Sequence, residues 1–129
     1  MTQKRLLSVV TACFNEAGNV EELYRQVKAE FEAIGRYRYE HIFIDNCSTD
    51  RTVAVLKRLA AADSNVKIIV NARNFGHIRS PMHAIMQARG EAIISLVADL
   101  QDPPSFIPQL IAKWEEGFPI VLCIKRSSE

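Results

Sequence analysis

The feature that most constrains this chain is a change of hydrophobic period that repeats along its whole length. Apolar runs of about five to seven residues alternate with stretches whose apolar residues recur at spacings of three and four. The runs are Leu6–Ala12, His41–Asp45, Val66–Val70, Ala92–Val97 and Ile120–Ile124. They are rich in β-branched residues and show no polar alternation, as strands covered on both faces should. Between the first two, Val20, Leu23, Tyr24, Val27, Phe31 and Ile34 mark one face of a helix. Asn15 is expected to cap its start, with Glu16 in the first turn, and Gly35 to end it. Val53, Leu56, Leu59 and Ala60 predict a second helix after the turn-forming "CSTDRT". Pro81 suits the first turn of a third, with Ile85, Met86 and Ala88 facing inward. Pro103 and Pro104 open a fourth, carrying Phe106, Ile107, Leu110, Ile111 and Trp114 on its apolar face.

This order, strand and helix in strict alternation, predicts an α/β fold: a Rossmann-like, mostly parallel sheet with helices on both faces. With 129 residues and no Pro/Gly/Ser-rich linker, 1–129 reads as one domain. Sixteen basic and fifteen acidic side chains leave a net charge of +1, which argues against a nucleic-acid partner. No apolar run reaches the roughly 18 residues of a membrane span. The N-terminal "MTQKRLLSVV" lacks a cleavage site of small residues and reads as a strand rather than a signal peptide. Cys13, Cys47 and Cys123 are odd in number and form no CxxC pair, which suits reduced thiols in a cytoplasmic protein.

In a parallel sheet every strand delivers its C-terminal end to one rim, and ligands bind in the crevice beyond it. Polar residues collect there: Asn15 and Glu16 after the first strand, then Asp45, Asn46, Ser48 and Asp50 after the second. Asn71, Arg73, Asn74, His77 and Arg79 follow the third, and Asp99, Gln101 and Asp102 the fourth. Arginine forks suit phosphate oxygens, and carboxylates suit base or ribose donors or a divalent cation held against a diphosphate. Each residue also has a plainer reading: Asp45 as an Asx turn, Asp99 as a turn residue before a proline-opened helix, Arg73 and Arg79 as solvated loop charges. Neither GxGxxG, GxxxxGK[ST] nor GxSxG occurs, and His41, His77 and His83 have no metal-ligand spacing with the cysteines.

The segments "VVTACFNEAGNVEELY", "HIFIDNCSTDRTVAVLKRLA", "ARNFGH" and "ARGEAIISLVADLQDPPSFIPQLIAKWEEGF" together resemble the donor-binding half of a family 2 glycosyltransferase with the GT-A fold. The nearest subgroup resembles dolichol-phosphate mannose synthases and polyprenyl-phosphate glycosyltransferases. The resemblance implies transfer of a sugar from a UDP- or GDP-sugar to a lipid phosphate, such as polyprenyl phosphate, or to a growing glycan, in cell-envelope glycan synthesis. It implies that Asn15 and Glu16 border the nucleotide, and that Asp45 with neighbouring Asn46 receives the base. Arg73, Asn74 and Gly76 wrap the nucleotide with Arg79 nearby, and Asp99 faces the diphosphate and its Mg²⁺ or Mn²⁺. Asp102 is expected to cap the following helix.

Two departures from the family pattern stand out. Val97-Ala98-Asp99 replaces the usual Asp-x-Asp, and Asp45-Asn46-Cys47 the usual Asp-Asp-Gly. The resemblance also implies an acceptor half with a carboxylate base, followed in the membrane-linked subgroup by transmembrane helices. The expectation is therefore a C-terminally truncated donor half that binds donor but transfers poorly, in the cytoplasm or, at full length, on the cytoplasmic face of the membrane. No catalytic base is identified in this chain. A second reading stays open: a non-catalytic nucleotide-binding or interaction module, with the free edge of the last strand favouring a homodimer.

Overall fold

A computed structural model describes residues 4–101, 103–119 and 121. The elements are β1 (Arg5–Cys13), α1 (Val20–Ile34), β2 (Tyr37–Asp45), α2 (Thr52–Ala62), β3 (Val66–Val70), α3 (Gly76–Gln87), β4 (Ile93–Val97), a 3₁₀ turn (Pro104–Phe106) and α4 (Ile107–Glu115). The strands form one parallel sheet in the order β3-β2-β1-β4. The expected fifth strand, Ile120–Ile124, lies outside the described residues, as do Asp102 and Cys123.

The strand register sorts the side chains onto two unequal faces. Leu7, Val9, Phe43, Leu56, Ile94 and Leu96 belong to the larger core, which Val20, Leu23, Val27 and Phe31 of α1 and Ile107 and Ile111 of α4 complete. Here α1, α2 and α4 cover the sheet. The other face holds Val10, Ile42 and Ile44, against which Ala84 of α3 packs. β1 and β2, covered on both sides, are buried along most of their length. β4 alternates exposed and buried residues instead, because nothing described covers its outer face.

Several local expectations shift. α1 begins at Val20, behind Asn19, and Asn15 does not cap it. The Asn15 side chain is drawn to the β2 loop, whose unpaired backbone N–H groups need an acceptor. Gly35 does end α1, in the left-handed conformation at φ 72° with its N–H on the Phe31 carbonyl. α3 starts five residues before Pro81, which lies inside the helix. Its start is set by tertiary bonds: the Phe75 N–H donates to Asn46 and the Gly76 N–H to Asn74. Ser80 and Ala84 then face inward, and Met86, roughly 200° around from Ala84 at ~100° per residue, points out and is 77% exposed. Trp114 packs against the larger core as expected, whereas Phe106 is 39% exposed.

Behind the rim, a polar cluster ties the start of the sheet to the turn before β4. Burial pushes the Glu40 carboxyl up, but bonds from Lys67, Ser8 and the Arg89 N–H outweigh it and hold the group below its ordinary range. Gly90 crosses Ser8 so closely that a Cβ there would sit 2.5 Å from the Ser8 nitrogen. Only glycine permits that approach, and it delivers β4 to its place beside β1.

Candidate functional site at the C-terminal rim of the sheet

β1, β2 and β4 end side by side, and each is followed by a non-glycine residue with left-handed backbone: Asn15 at φ 53°, Cys47 at 66° and Leu100 at 65°. Such residues cost of order 1–2 kcal/mol each and persist only where the surroundings impose them. All three among the described residues lie at this one rim. Asp45 ends β2 and Asp99 follows β4, with β1 between them. Two strand spacings put their backbones about 10 Å apart on the same edge.

The loops after β1 and β2 are stitched together. Asn15 Oδ1 accepts from the Thr49 N–H at 2.8 Å and the Asp50 N–H at 3.3 Å, and the Asn15 N–H donates to Ser48 Oγ at 2.8 Å. The Glu16 N–H donates to Thr52 Oγ1, and the Ala17 N–H to Asp50. Asp50 also accepts the Thr52 hydroxyl, the main reason its carboxyl is held below the ordinary range. The Glu16 carboxylate accepts from Asn19.

Asp45 is fully buried, and its two oxygens accept the Ser48 N–H and the Ser48 hydroxyl. That is the Asx-turn arrangement, which occupies the carboxylate proposed for the base. Asn46, only 6% exposed, is a hub between the β2 end and the segment before α3. Its Nδ2 donates to Asn74 Oδ1 at 2.8 Å and the Gly76 carbonyl at 3.1 Å. Its Oδ1 accepts the Phe75 N–H at 2.7 Å and Asn71 Nδ2 at 3.3 Å, and Asn71 also donates to buried Ser80. An aspartate here has no hydrogen to give Asn74 and Gly76, so the amide is matched to its place. Cys47, in a conformation that favours glycine, lies with Sγ 3.7 Å from the Ala72 carbonyl.

The remaining candidates are exposed. The Arg73 guanidinium lies over the Phe75 ring, 4.7 Å from its centroid, and Arg79 sits in α3. Asp99 accepts the Gln101 N–H at 3.0 Å and is otherwise open to solvent. Val97, where the resemblance leads one to expect an acid, is 47% exposed. Among the described residues, no group of three His, Cys, Asp or Glu could hold a metal. An exposed carboxylate such as that of Asp99 has the hard-oxygen chemistry that a Mg²⁺ or Mn²⁺ completed by phosphate oxygens and water could use.

Two cavities lie elsewhere. One of about 600 Å³ runs along β4, which is the edge strand among the described residues, and is lined by Ile94, Leu96, Leu110 and Trp114 among others. The other, about 440 Å³, is at the opposite end of the sheet beside Tyr39, Glu40, Lys67 and Arg89. Neither includes Asp45 or Asp99. Of the cysteines, Cys13 is buried, and burial together with the nearby Asp45 pushes its thiol far up, so it is an inert core residue. Sequence reasoning missed the roles of Asn71, Ser80 and Thr52. The only local signal was the density of Asn, Ser and Thr in the two loops.

Residues 8–129 match the family model Glycosyl transferase family 2. The chain belongs to glycosyl transferase family 2. The uncharacterized glycosyltransferase YkcC of Bacillus subtilis (strain 168) is 36% identical over 118 residues, covering 92% of this chain and 36% of that protein. An undecaprenyl-phosphate 4-deoxy-4-formamido-L-arabinose transferase of Shewanella sediminis (strain HAW-EB3) is 37% identical over 121 residues, covering 93% of this chain and 36% of its own length. The chain thus spans little more than a third of either relative. The fold is similar to that of the mannosyltransferase PcManGT from Pyrobaculum calidifontis, solved with GDP-Man and Mn²⁺. That match has a TM-score of 0.76 at 23% identity and covers 97% of this chain and 37% of that one. The sheet and its rim are therefore those of a GT-A-like α/β domain.

Proposed function

We propose that this chain is the donor-binding portion of a glycosyltransferase that takes a sugar from a UDP- or GDP-sugar and passes it to a lipid phosphate or a saccharide. The observation that carries the reading is the coincidence of three strained backbones with exposed Asp99 and Arg73 at one rim of a family 2 domain. Relatives named for undecaprenyl-phosphate transfer support the lipid-phosphate acceptor, and with it work at the cytoplasmic face of a membrane in cell-envelope glycan synthesis. Among the described residues no helix is long and apolar enough to cross a membrane.

Arg73 and Arg79 would take phosphate oxygens. Asn46 holds the Asn74–Gly76 backbone where a nucleotide would lie along it, and the Asn15 and Glu16 loop closes the other side. Asp45 shapes the base site through the Ser48 turn, or contacts the base only after releasing Ser48. A Mg²⁺ or Mn²⁺, when bound, neutralises charge on the departing diphosphate, and Asp99 would hold it. No described residue is placed as the base that activates an acceptor, so this portion binds donor without efficient transfer.

Calorimetry with UDP and GDP, with and without Mn²⁺, tests this. Binding that Mn²⁺ strengthens, and that Asp99→Asn makes insensitive to Mn²⁺, is expected; absence of binding to either nucleotide refutes it. Val97 and Asn46, standing where the family pattern has acids, favour a second reading as a non-catalytic nucleotide-binding module. Nucleotide binding without transfer by a form carrying the acceptor half would select that reading.

A further inference from the structure

α3 is held to the sheet differently at its two ends. In the half away from the rim, Ala84 is fully buried, and Ile85 and Ala88 pack with it against Val10, Ile42 and Ile44. Just beyond, the Arg89 N–H donates at 2.7 Å to the buried Glu40 carboxylate, and the Gly90 N–H donates at 2.8 Å to Ser8 Oγ. A bond to an ionised acceptor is roughly twice as strong as one between neutral groups. The half nearer the rim, from Gly76 to Pro81, buries only Ser80 among the described side chains. It hangs on bonds between neutral groups. Asn46 holds Asn74, Phe75 and Gly76, and Asn71 holds the Ser80 hydroxyl. Water offers such groups nearly equivalent partners once it reaches them. Pro81, inside the helix, cannot donate to the carbonyl four residues back, so the helical ladder is interrupted where the two halves meet. α1 makes the contrast: Val20, Leu23, Val27 and Phe31 anchor it to the core along its length.

We propose that α3 is a hinged latch. Its rim half, with the Arg73–Phe75 segment before it, opens away from the sheet while the Ala84–Gly90 end stays fixed. Hinge and catch both come from β2: Glu40, in its first half, holds the hinge, and Asn46, just past its end, is the catch. Opening starts at the catch because burial is least there and the bonds are neutral. It withdraws Arg73 and Arg79 from the rim together, and closing returns them. On the donor reading given above, on which this last step rests, a nucleotide binds the shut form, so the site is gated by the helix that brings its arginines.

Amide hydrogen exchange, followed by NMR on the chain without nucleotide, tests the hinge. The Phe75, Ser80 and Met82 amides should exchange at least about tenfold faster, relative to their intrinsic rates, than Arg89 and than Val27 of α1. Ser80→Ala, which removes the Asn71 bond, should accelerate Phe75 and Met82 at least about threefold and leave Arg89 unchanged. Asn46→Ala should do the same more strongly, and Ser80→Ala keeps the test decisive if Asn46→Ala does not fold. UDP or GDP with Mn²⁺, at about ten times its Kd, should slow Phe75, Ser80 and Met82 about tenfold, since a ligand of the shut form alone depletes the open one in that ratio. Arg89 exchanging as fast as Ser80, or all of α3 exchanging no faster than Val27, overturns the hinge. A nucleotide that binds without slowing these amides overturns the gating. A chain that binds neither nucleotide in calorimetry refutes the donor reading, while the rates without nucleotide still decide the hinge.

Discussion

Mild acid should weaken this fold through His41, before the carboxylates respond. His41 is fully buried in β2, its ring 3.9 Å from that of Phe43, with Nε2 2.9 Å from Thr11 Oγ1. Its Nδ1 has no hydrogen-bond partner. Burial without a counter-charge lowers its pKa to about 3, whereas an unfolded chain titrates it at about 6.5. The folded pKa is depressed, so above about pH 6.5 neither state holds the proton and the contribution is constant. As pH falls below that value the unfolded chain takes up the proton first, and stability drops by about 1.4 kcal/mol per pH unit. By about pH 5 the loss is about 2 kcal/mol, a sizeable share of the 5–15 kcal/mol typical of a domain. Glu40 and Asp63, whose carboxyls are also held low, lose their contributions only as pH falls through the acid range below about 4.5.

Urea unfolding followed by circular dichroism at about pH 7, 6 and 5 measures the slope. The control is Thr11→Val/His41→Phe, which removes both polar partners together and keeps a flat aromatic ring at the site. It should lie within about 2 kcal/mol of the parent at neutral pH and be nearly flat down to about pH 5. A parent whose stability does not change over that range, or a double variant that keeps the parent's slope, refutes the reasoning.

Other substitutions probe the rim. Asn46→Ala removes four hydrogen bonds and strands the Phe75 N–H, and should cost about 2–4 kcal/mol. Hydrogen exchange at Phe75 and Gly76 should accelerate before the rest of the sheet does. Cys47→Gly relieves a left-handed backbone at φ 66° and should raise the thermal midpoint, by up to about 1 kcal/mol in stability. A lower midpoint would mean that the Cys47 side chain contributes more than the strain costs.

Strand–helix alternation was enough to determine the parallel sheet, the common rim and the polar character of its loops. Each of those follows from local period and from the geometry of parallel strands. Tertiary structure alone decided which rim groups are available. Asp45 and Asp99 look equivalent in sequence, as acids at strand ends. One is buried under Ser48, while the other stands open beside Gln101. Asn15 caps a loop more than thirty residues away instead of its own helix, and Asn46 sets the start of α3 from a neighbouring strand. Hydrogen-bond partners so far apart along the chain leave no periodic trace, because the backbone groups they satisfy become neighbours only once the sheet has formed.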